Sequence, residues 1–146
     1  MGEARDTVEA GLRDFNAGDL DGLMARYADD ATAMVSGLPT ELMGNDQIRQ
    51  FIQMYFTAFP GCQLTPKNVI ESGEWVVLEW VFTGTHNGPF VTPTGEIPAT
   101  GKSVENQAVS VFEVRNAKVV AQRVYFDTME LMTQLGMMPA TTTPAT

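Results

Sequence analysis

Cysteine and histidine are nearly absent from this sequence of 146 residues, which contains one of each, Cys62 and His86. A single cysteine cannot form a disulfide within the chain. One cysteine and one histidine also cannot supply the four ligands of a structural zinc site. We therefore expect no bound metal and a reducing, cytoplasmic compartment. The first ten residues are acidic and lack an apolar core, so they do not predict a signal peptide.

Basic residues are scarce as well. Nine lysines and arginines stand against 18 aspartates and glutamates, which gives a formal net charge of −9 and a sequence pI of about 4.4. An acidic surface repels the phosphates of nucleic acid and the anionic headgroups of a membrane. No apolar run approaches the roughly 20 residues that a membrane-spanning helix needs. We expect neither nucleic acid nor a membrane as a partner.

Several sequence motifs of enzymes are also missing. The chain has no glycine-rich phosphate loop, no dinucleotide-binding fingerprint, no His-Glu-x-x-His and no Gly-x-Ser-x-Gly. These absences predict a protein that works without a cofactor. Two classes of function remain: acid–base chemistry by side chains, or the binding of a small molecule.

The N-terminal part shows the periodicity of helices. Residues 4–16 and 46–58 each carry apolar side chains at three- and four-residue spacing. Asp19 is a suitable N-cap for a short helix between them, and residues 31–36 predict a short strand. From Cys62 onwards the period changes to two, which predicts strands at 63–71, 74–86, 103–114 and 118–126 before a short C-terminal helix.

Helices followed by an antiparallel meander indicate an α+β fold. We expect one domain over residues 1–138 and a disordered tail over 139–146. The connection at 87–102 is rich in proline and glycine, and its length favours either a flap over a pocket or the tip of a hairpin. Both faces of the strand at 74–86 are apolar, and helices can cover only one of them. A homodimer through the outer face of the sheet is therefore expected.

Asp127 can be interpreted in two ways. It ends the last strand beside apolar residues, where a carboxylate can be a general base in an apolar pocket. It also begins the sequence Asp127-Thr128-Met129-Glu130, which has the form of a capping box in front of a helix. On the residues alone the capping box is favoured.

The segment Thr83-Gly84-Thr85-His86-Asn87-Gly88-Pro89-Phe90 resembles SnoaL-like polyketide cyclases, a family of ester cyclases in the NTF2-like superfamily. The resemblance extends over nearly the whole chain, and its further segments are Phe15–Asp19, Tyr27–Ala31, Pro98–Lys102, Tyr125–Asp127 and Gln134–Gly136. It implies an NTF2-like (cystatin-like) cone, in which N-terminal helices pack on a curved, mixed, mostly antiparallel β-sheet around a hydrophobic cavity.

The resemblance also implies a reaction. Cyclases of this family close a ring by intramolecular aldol condensation of a polyketide-type carbonyl compound, without metal or cofactor. Asp127 would be the general acid and base, and His86 would orient or polarise the substrate. A ketosteroid-isomerase-like or epoxide-hydrolase-like reaction in the same cavity is an alternative. A domain that binds a small hydrophobic ligand without catalysis is another.

A set of aromatic and polar side chains is expected to contact this ligand: Phe15, Phe51, Tyr55, Trp80, Phe82, Asn106, Ser110, Arg123 and Tyr125. Arg123 stands four residues before Asp127, where the family often has an aromatic residue. In a regular strand Arg123, Tyr125 and Asp127 share one face. A cation at the far end of the pocket predicts an anionic ligand, unless Glu79 or Asp127 pairs with it.

Overall fold

The structure is a computed structural model, and it describes residues 2–92 and 95–137. The predicted disordered tail lies outside the described residues. The helices are α1 (Glu3–Asn16), α2 (Leu20–Met24), α3 (Asn45–Ala58) and α4 (Thr128–Gln134). The strands are β1 (Tyr27–Val35), β2 (Leu42–Met43), β3 (Gln63–Ser72), β4 (Trp75–Thr85), β5 (Phe90–Thr92), β6 (Gly95–Ile97), β7 (Ser103–Arg115) and β8 (Lys118–Phe126).

The helices form where the sequence places an apolar stripe. Helix α1 buries Ala4, Val8 and Gly11 on the side that faces the sheet, as the helical period predicts. The Asp19 carboxylate accepts a hydrogen bond from the Gly22 backbone and caps α2. Asn45 does not cap α3; its side-chain amide donates instead to backbone carbonyl oxygens at the end of α2 and the start of β1. No described helix is long and apolar enough to cross a membrane.

Six strands form one sheet in the order β2-β1-β8-β7-β4-β3. The predicted meander β3-β4-β7-β8 is antiparallel throughout. Strand β1 is longer than predicted and pairs with β8 in parallel, which makes the sheet mixed. In the connection at 87–102, β5 and β6 pair as a hairpin with Phe90 opposite Ile97. Both side chains are buried, so the hairpin packs against the body of the protein.

The two faces of the sheet have different environments because side chains alternate along each strand. On β7, Asn106, Ala108, Ser110 and Phe112 are buried on the inner face, which the helices cover. The outer face carries large exposed apolar side chains, namely Met34, Ile70, Trp75 and Tyr125. The interior therefore lies between the inner face and the helices.

The buried residues form two clusters. One lies against α1, α2 and β1 and contains Val8, Leu23 and Phe112. The other lies against the β5–β6 hairpin and α4 and contains Phe59 and Leu135.

Candidate functional site

A cavity of about 150 Å³ lies between the helices and the inner face of the sheet. Aliphatic and aromatic side chains make up most of its wall, among them Leu12, Ile52, Leu78, Val124 and Leu131. A cavity of about this size with an apolar wall holds one benzene ring, whereas pockets for drug-sized molecules span roughly 300–1,000 Å³. The cavity therefore has room for a ligand of about one ring.

Seven of the side chains predicted to contact a ligand lie in this wall: Phe15, Phe51, Tyr55, Trp80, Phe82, Asn106 and Ser110. Helices α1 and α3 supply the first three, and the inner faces of β4 and β7 supply the others. Tyr55 packs edge-on against Phe51 at 5.2 Å and against Phe82 at 5.8 Å between ring centroids. These contacts hold the aromatic part of the wall in place.

The predicted direction of Arg123 and Tyr125 is wrong. Both side chains lie on the outer face of β8, away from the cavity. The Arg123 guanidinium lies over the ring of Trp75 at 5.6 Å, and Tyr125 is 50% exposed. Side chains alternate between the two faces of a strand, so an error of one residue in assigning the inner face places the whole set on the opposite face.

Asp127 does not lie in the cavity wall, and the prediction of an unpaired base in an apolar pocket is not met. Its carboxylate is exposed, and Oδ1 accepts a hydrogen bond from the Glu130 backbone nitrogen at 3.0 Å. This is the N-cap contact of α4. The preceding residue, Phe126, does line the cavity, so the carboxylate stands just beyond its edge.

His86 is fully buried outside the cavity wall, which contradicts a position against a substrate. It packs on Phe59 at 5.4 Å between ring centroids, and its Nδ1 lies 2.9 Å from the Thr100 hydroxyl. Its backbone nitrogen donates to Lys102 and its carbonyl accepts from Gly101. Burial lowers the pKa of His86 below the ordinary value of 6.5, and the backbone of Gly88 opposes this only in part. His86 thus joins the two ends of segment 87–102 as a neutral ring.

A polar pair in the wall was not predicted from the sequence. The Tyr27 hydroxyl donates to Oε1 of Gln122 at 2.5 Å, and both residues line the cavity. Gln122 belongs to the set Gln122, Val124 and Phe126, which is more apolar than Arg123, Tyr125 and Asp127. That difference was the available signal for the inward face of β8.

Two further polar contacts complete the wall on β4 and β7. The indole nitrogen of Trp80 donates to the Ser110 hydroxyl at 2.9 Å. The Asn106 amide donates to the backbone carbonyl of Asp127 at 3.2 Å. Ser110 and Asn106 were both predicted to contact a ligand, and both lie in the cavity wall.

The described part of the wall offers hydrogen-bonding groups but no ordinary catalytic base. Within residues 2–92 and 95–137, no carboxylate and no imidazole lines the cavity. The one cationic side chain among the described residues of the wall, Arg26, is paired with Asp14, with Nε and Oδ2 2.6 Å apart. The same described ranges contain no group of histidine, cysteine, aspartate or glutamate that could hold a metal. The arrangement can enclose and orient a ligand.

Solved structures with a similar fold cover nearly all of the chain. A candidate SnoaL-like polyketide cyclase from Jannaschia sp. CCS1 has a TM-score of 0.82 and 23% identity, with 94% of each chain covered. An NTF2-like protein of unknown function from Burkholderia pseudomallei has a TM-score of 0.76 and 26% identity over 92% of this chain and 98% of its own. An LEH-like epoxide hydrolase of M. tuberculosis has a TM-score of 0.70 and 21% identity over 91% and 89%.

These likenesses confirm the predicted NTF2-like α+β fold. No curated protein matches the chain. The sequence model of the family described as SnoaL-like polyketide cyclase matches residues 6–135, which is most of the chain. The protein therefore belongs to the SnoaL-like polyketide cyclase family.

Proposed function

We propose that this chain binds a small, mainly apolar carbonyl compound of about one ring in the cavity between the helices and the sheet. The observation that carries the proposal is an apolar cavity of about 150 Å³ whose wall contains a few fixed hydrogen-bonding groups. Transfer of an apolar ring from water into such a space is favourable by roughly 25 cal/mol for each Å² of apolar surface removed from water. The polar groups would then fix the orientation of the ligand.

Calorimetric titration with single-ring ketones tests this proposal. A single-ring ketone such as acetophenone should bind with a one-to-one stoichiometry, and a four-ring compound should bind weakly or not at all because the cavity is too small. Equal affinity for both compounds would contradict a binding site inside the cavity.

A cyclase reaction on a longer ligand that extends out of the cavity is the second candidate, and the family membership favours it. In this reaction Asp127 would take a proton from the carbon beside a carbonyl group. The resulting enolate would attack a second carbonyl of the same molecule, and the new alkoxide would take the proton back. Oδ2 of Asp127 accepts no hydrogen bond from the described part of the chain, so one oxygen is available. Its exposed position requires a ligand that extends past Phe126.

The two other reactions considered from the sequence are less well supported. A ketosteroid-isomerase-like reaction needs a base against the ligand. An epoxide-hydrolase-like reaction also needs a group that activates the nucleophile. The described wall of the cavity has neither a carboxylate nor an imidazole. Ligand binding therefore stays the leading proposal.

We further propose that the outer face of the sheet binds a second copy of the chain. Ile70 is 52% exposed and Trp75 is 40% exposed on this face. Between them and β8 lie Val77 and Val111, which are opposite each other in the sheet. Large apolar side chains grouped and exposed on one face of a single chain are typical of an interface. A two-fold axis would cover this face with the same face of the partner.

A further inference from the structure

Gln122 is a polar residue in the mainly apolar wall of the cavity. It lies on the inner face of β8, between Phe112 of β7 and Ala33 of β1 in the sheet register. Tyr27 donates its hydroxyl hydrogen to Oε1 of Gln122 at 2.5 Å. Tyr27 is 6% exposed, and burial raises the pKa of its hydroxyl, so the hydroxyl stays protonated as a donor.

This contact fixes which way the amide points. Oε1 is directed to Tyr27, so the two N–H groups of Nε2 are directed elsewhere in the wall. No residue in the described ranges accepts a hydrogen bond from Nε2. Gln122 is half-buried and lines the cavity, so a ligand oxygen there would give Nε2 an acceptor.

Ser110 adds a second donor on the same wall. Its oxygen already accepts from Trp80 Nε1, which leaves the hydroxyl hydrogen to be donated. Ser110 is opposite Val124 and Gln122 is opposite Phe112 on the neighbouring strands. The two side chains are therefore diagonal neighbours on one face, with Cα atoms roughly 7 Å apart. Gln122 and Ser110 thus each have a hydrogen to donate on this wall.

We infer that Gln122, held in place by Tyr27, binds the carbonyl oxygen of the ligand and selects acceptor-bearing compounds over hydrocarbons of the same shape. This inference rests on the proposed ligand-binding function. The ligand class is a ketone or ester whose oxygen accepts hydrogen bonds from Gln122 and, where a second oxygen is present, from Ser110.

The carbonyl site at Gln122 is distant from the carboxylate of Asp127. Asp127 stands five residues after Gln122, which is about 17 Å along a strand. A carbon beside a carbonyl bound at Gln122 is out of reach of that carboxylate. Binding at Gln122 is thus independent of any role for Asp127.

The experiment compares two ligands of nearly the same shape, acetophenone and α-methylstyrene, in which a C=O replaces a C=CH₂. Their dissociation constants are measured by calorimetry for the wild-type protein, for Gln122→Met and for the control Gln107→Met. Gln107 is exposed on the outer face of β7. The double variant Tyr27→Phe with Gln122→Met removes both members of the polar pair, which avoids leaving the tyrosine hydroxyl unpaired.

In Gln122→Met and in the double variant, the affinity for acetophenone relative to α-methylstyrene should fall roughly tenfold, because the ketone oxygen loses its donor. Gln107→Met should keep the wild-type ratio. In the wild-type protein, the side-chain amide signals of Gln122 in an NMR spectrum should shift with the ketone and not with the alkene.

An unchanged ratio in Gln122→Met and the double variant, with both ligands bound, would overturn the inference and leave the proposed function standing. If either variant fails to fold, side-chain amide signals of Gln122 that do not shift with the ketone would overturn the inference and leave the proposed function standing. Failure of both ligands to bind the wild-type protein would overturn the proposed function together with the inference.

Discussion

The carboxylate of Asp127 accepts a hydrogen bond from the backbone nitrogen of Glu130 at 3.0 Å, and this contact begins helix α4. Asp127 is therefore an N-cap, and its side chain is exposed. The cavity wall ends one residue earlier, at Phe126. The capping contact explains why an acidic residue ends this strand without any catalytic requirement.

Replacing Asp127 separates capping from catalysis. Asp127→Asn should keep both the melting temperature and the affinity for a single-ring ketone, since asparagine caps as well as aspartate. Asp127→Ala should lose about 1 kcal/mol of unfolding free energy. Thermal unfolding and calorimetric titration measure both quantities. If Asp127 is a base, Asp127→Asn should reduce turnover by roughly 10²–10⁴-fold at an unchanged melting temperature. A loss of ketone affinity in Asp127→Asn would contradict the account.

The contact between Trp80 and Ser110 should contribute to stability. Ser110→Ala removes the acceptor of the indole N–H and should lower the free energy of unfolding by roughly 1–3 kcal/mol. Ser103→Ala, on the same strand, removes an exposed hydroxyl contact with Thr85 and should change little. Urea denaturation of the two variants measures the difference. Equal stability losses would show that burial of the contact does not matter.

His86 should make stability depend on pH. Because burial lowers the pKa of His86 in the folded state, the unfolded chain binds the proton first as the pH falls. The stabilisation is complete above the ordinary pKa of 6.5 and is lost as the pH falls through the lower folded value. The free energy of unfolding should thus decrease below pH 6.5 more steeply in the wild-type protein than in His86→Gln. Parallel curves for the two proteins would contradict a neutral, buried His86.

The proposed dimer predicts a change in sedimentation. The wild-type protein should sediment as a dimer at micromolar concentration, and Ile70→Glu should sediment as a monomer because it places a charge in the apolar outer face. Val91→Glu changes an equally exposed apolar residue on the β5–β6 hairpin and should leave the dimer intact. A wild-type monomer at that concentration would remove the proposal.

The fold could be predicted from the sequence, because the order of helical and strand periods is local information. The meander from β3 to β8 follows from alternation and turns alone. The parallel pairing of β1 with β8 joins residues far apart in the chain, and no local pattern indicates it. Tyr27 illustrates the limit: its spacing suits the end of a helix, yet it begins β1 and contacts Gln122.

The site could be predicted only in part. The residues predicted on α1, α3, β4 and β7 lie in the wall because amphipathic patterns identify inner faces. On β8, the prediction that Asp127 faces the cavity also placed Arg123 and Tyr125 on the inner face. The more apolar alternative, Gln122 with Val124 and Phe126, lines the cavity. A hydrophobic pattern was therefore a better guide to direction than a candidate catalytic residue.

The most direct test of ligand binding inside the cavity is to fill it. Ala33 lies in the cavity wall on β1, and Ala33→Leu adds an isopropyl group to that space. Ala121→Leu makes the same change on the outer face of β8, opposite Glu113. Calorimetric titration with acetophenone should show binding to the wild-type protein and to Ala121→Leu, and a loss of at least tenfold in affinity for a folded Ala33→Leu. Undiminished binding to Ala33→Leu would place the ligand elsewhere and contradict the account.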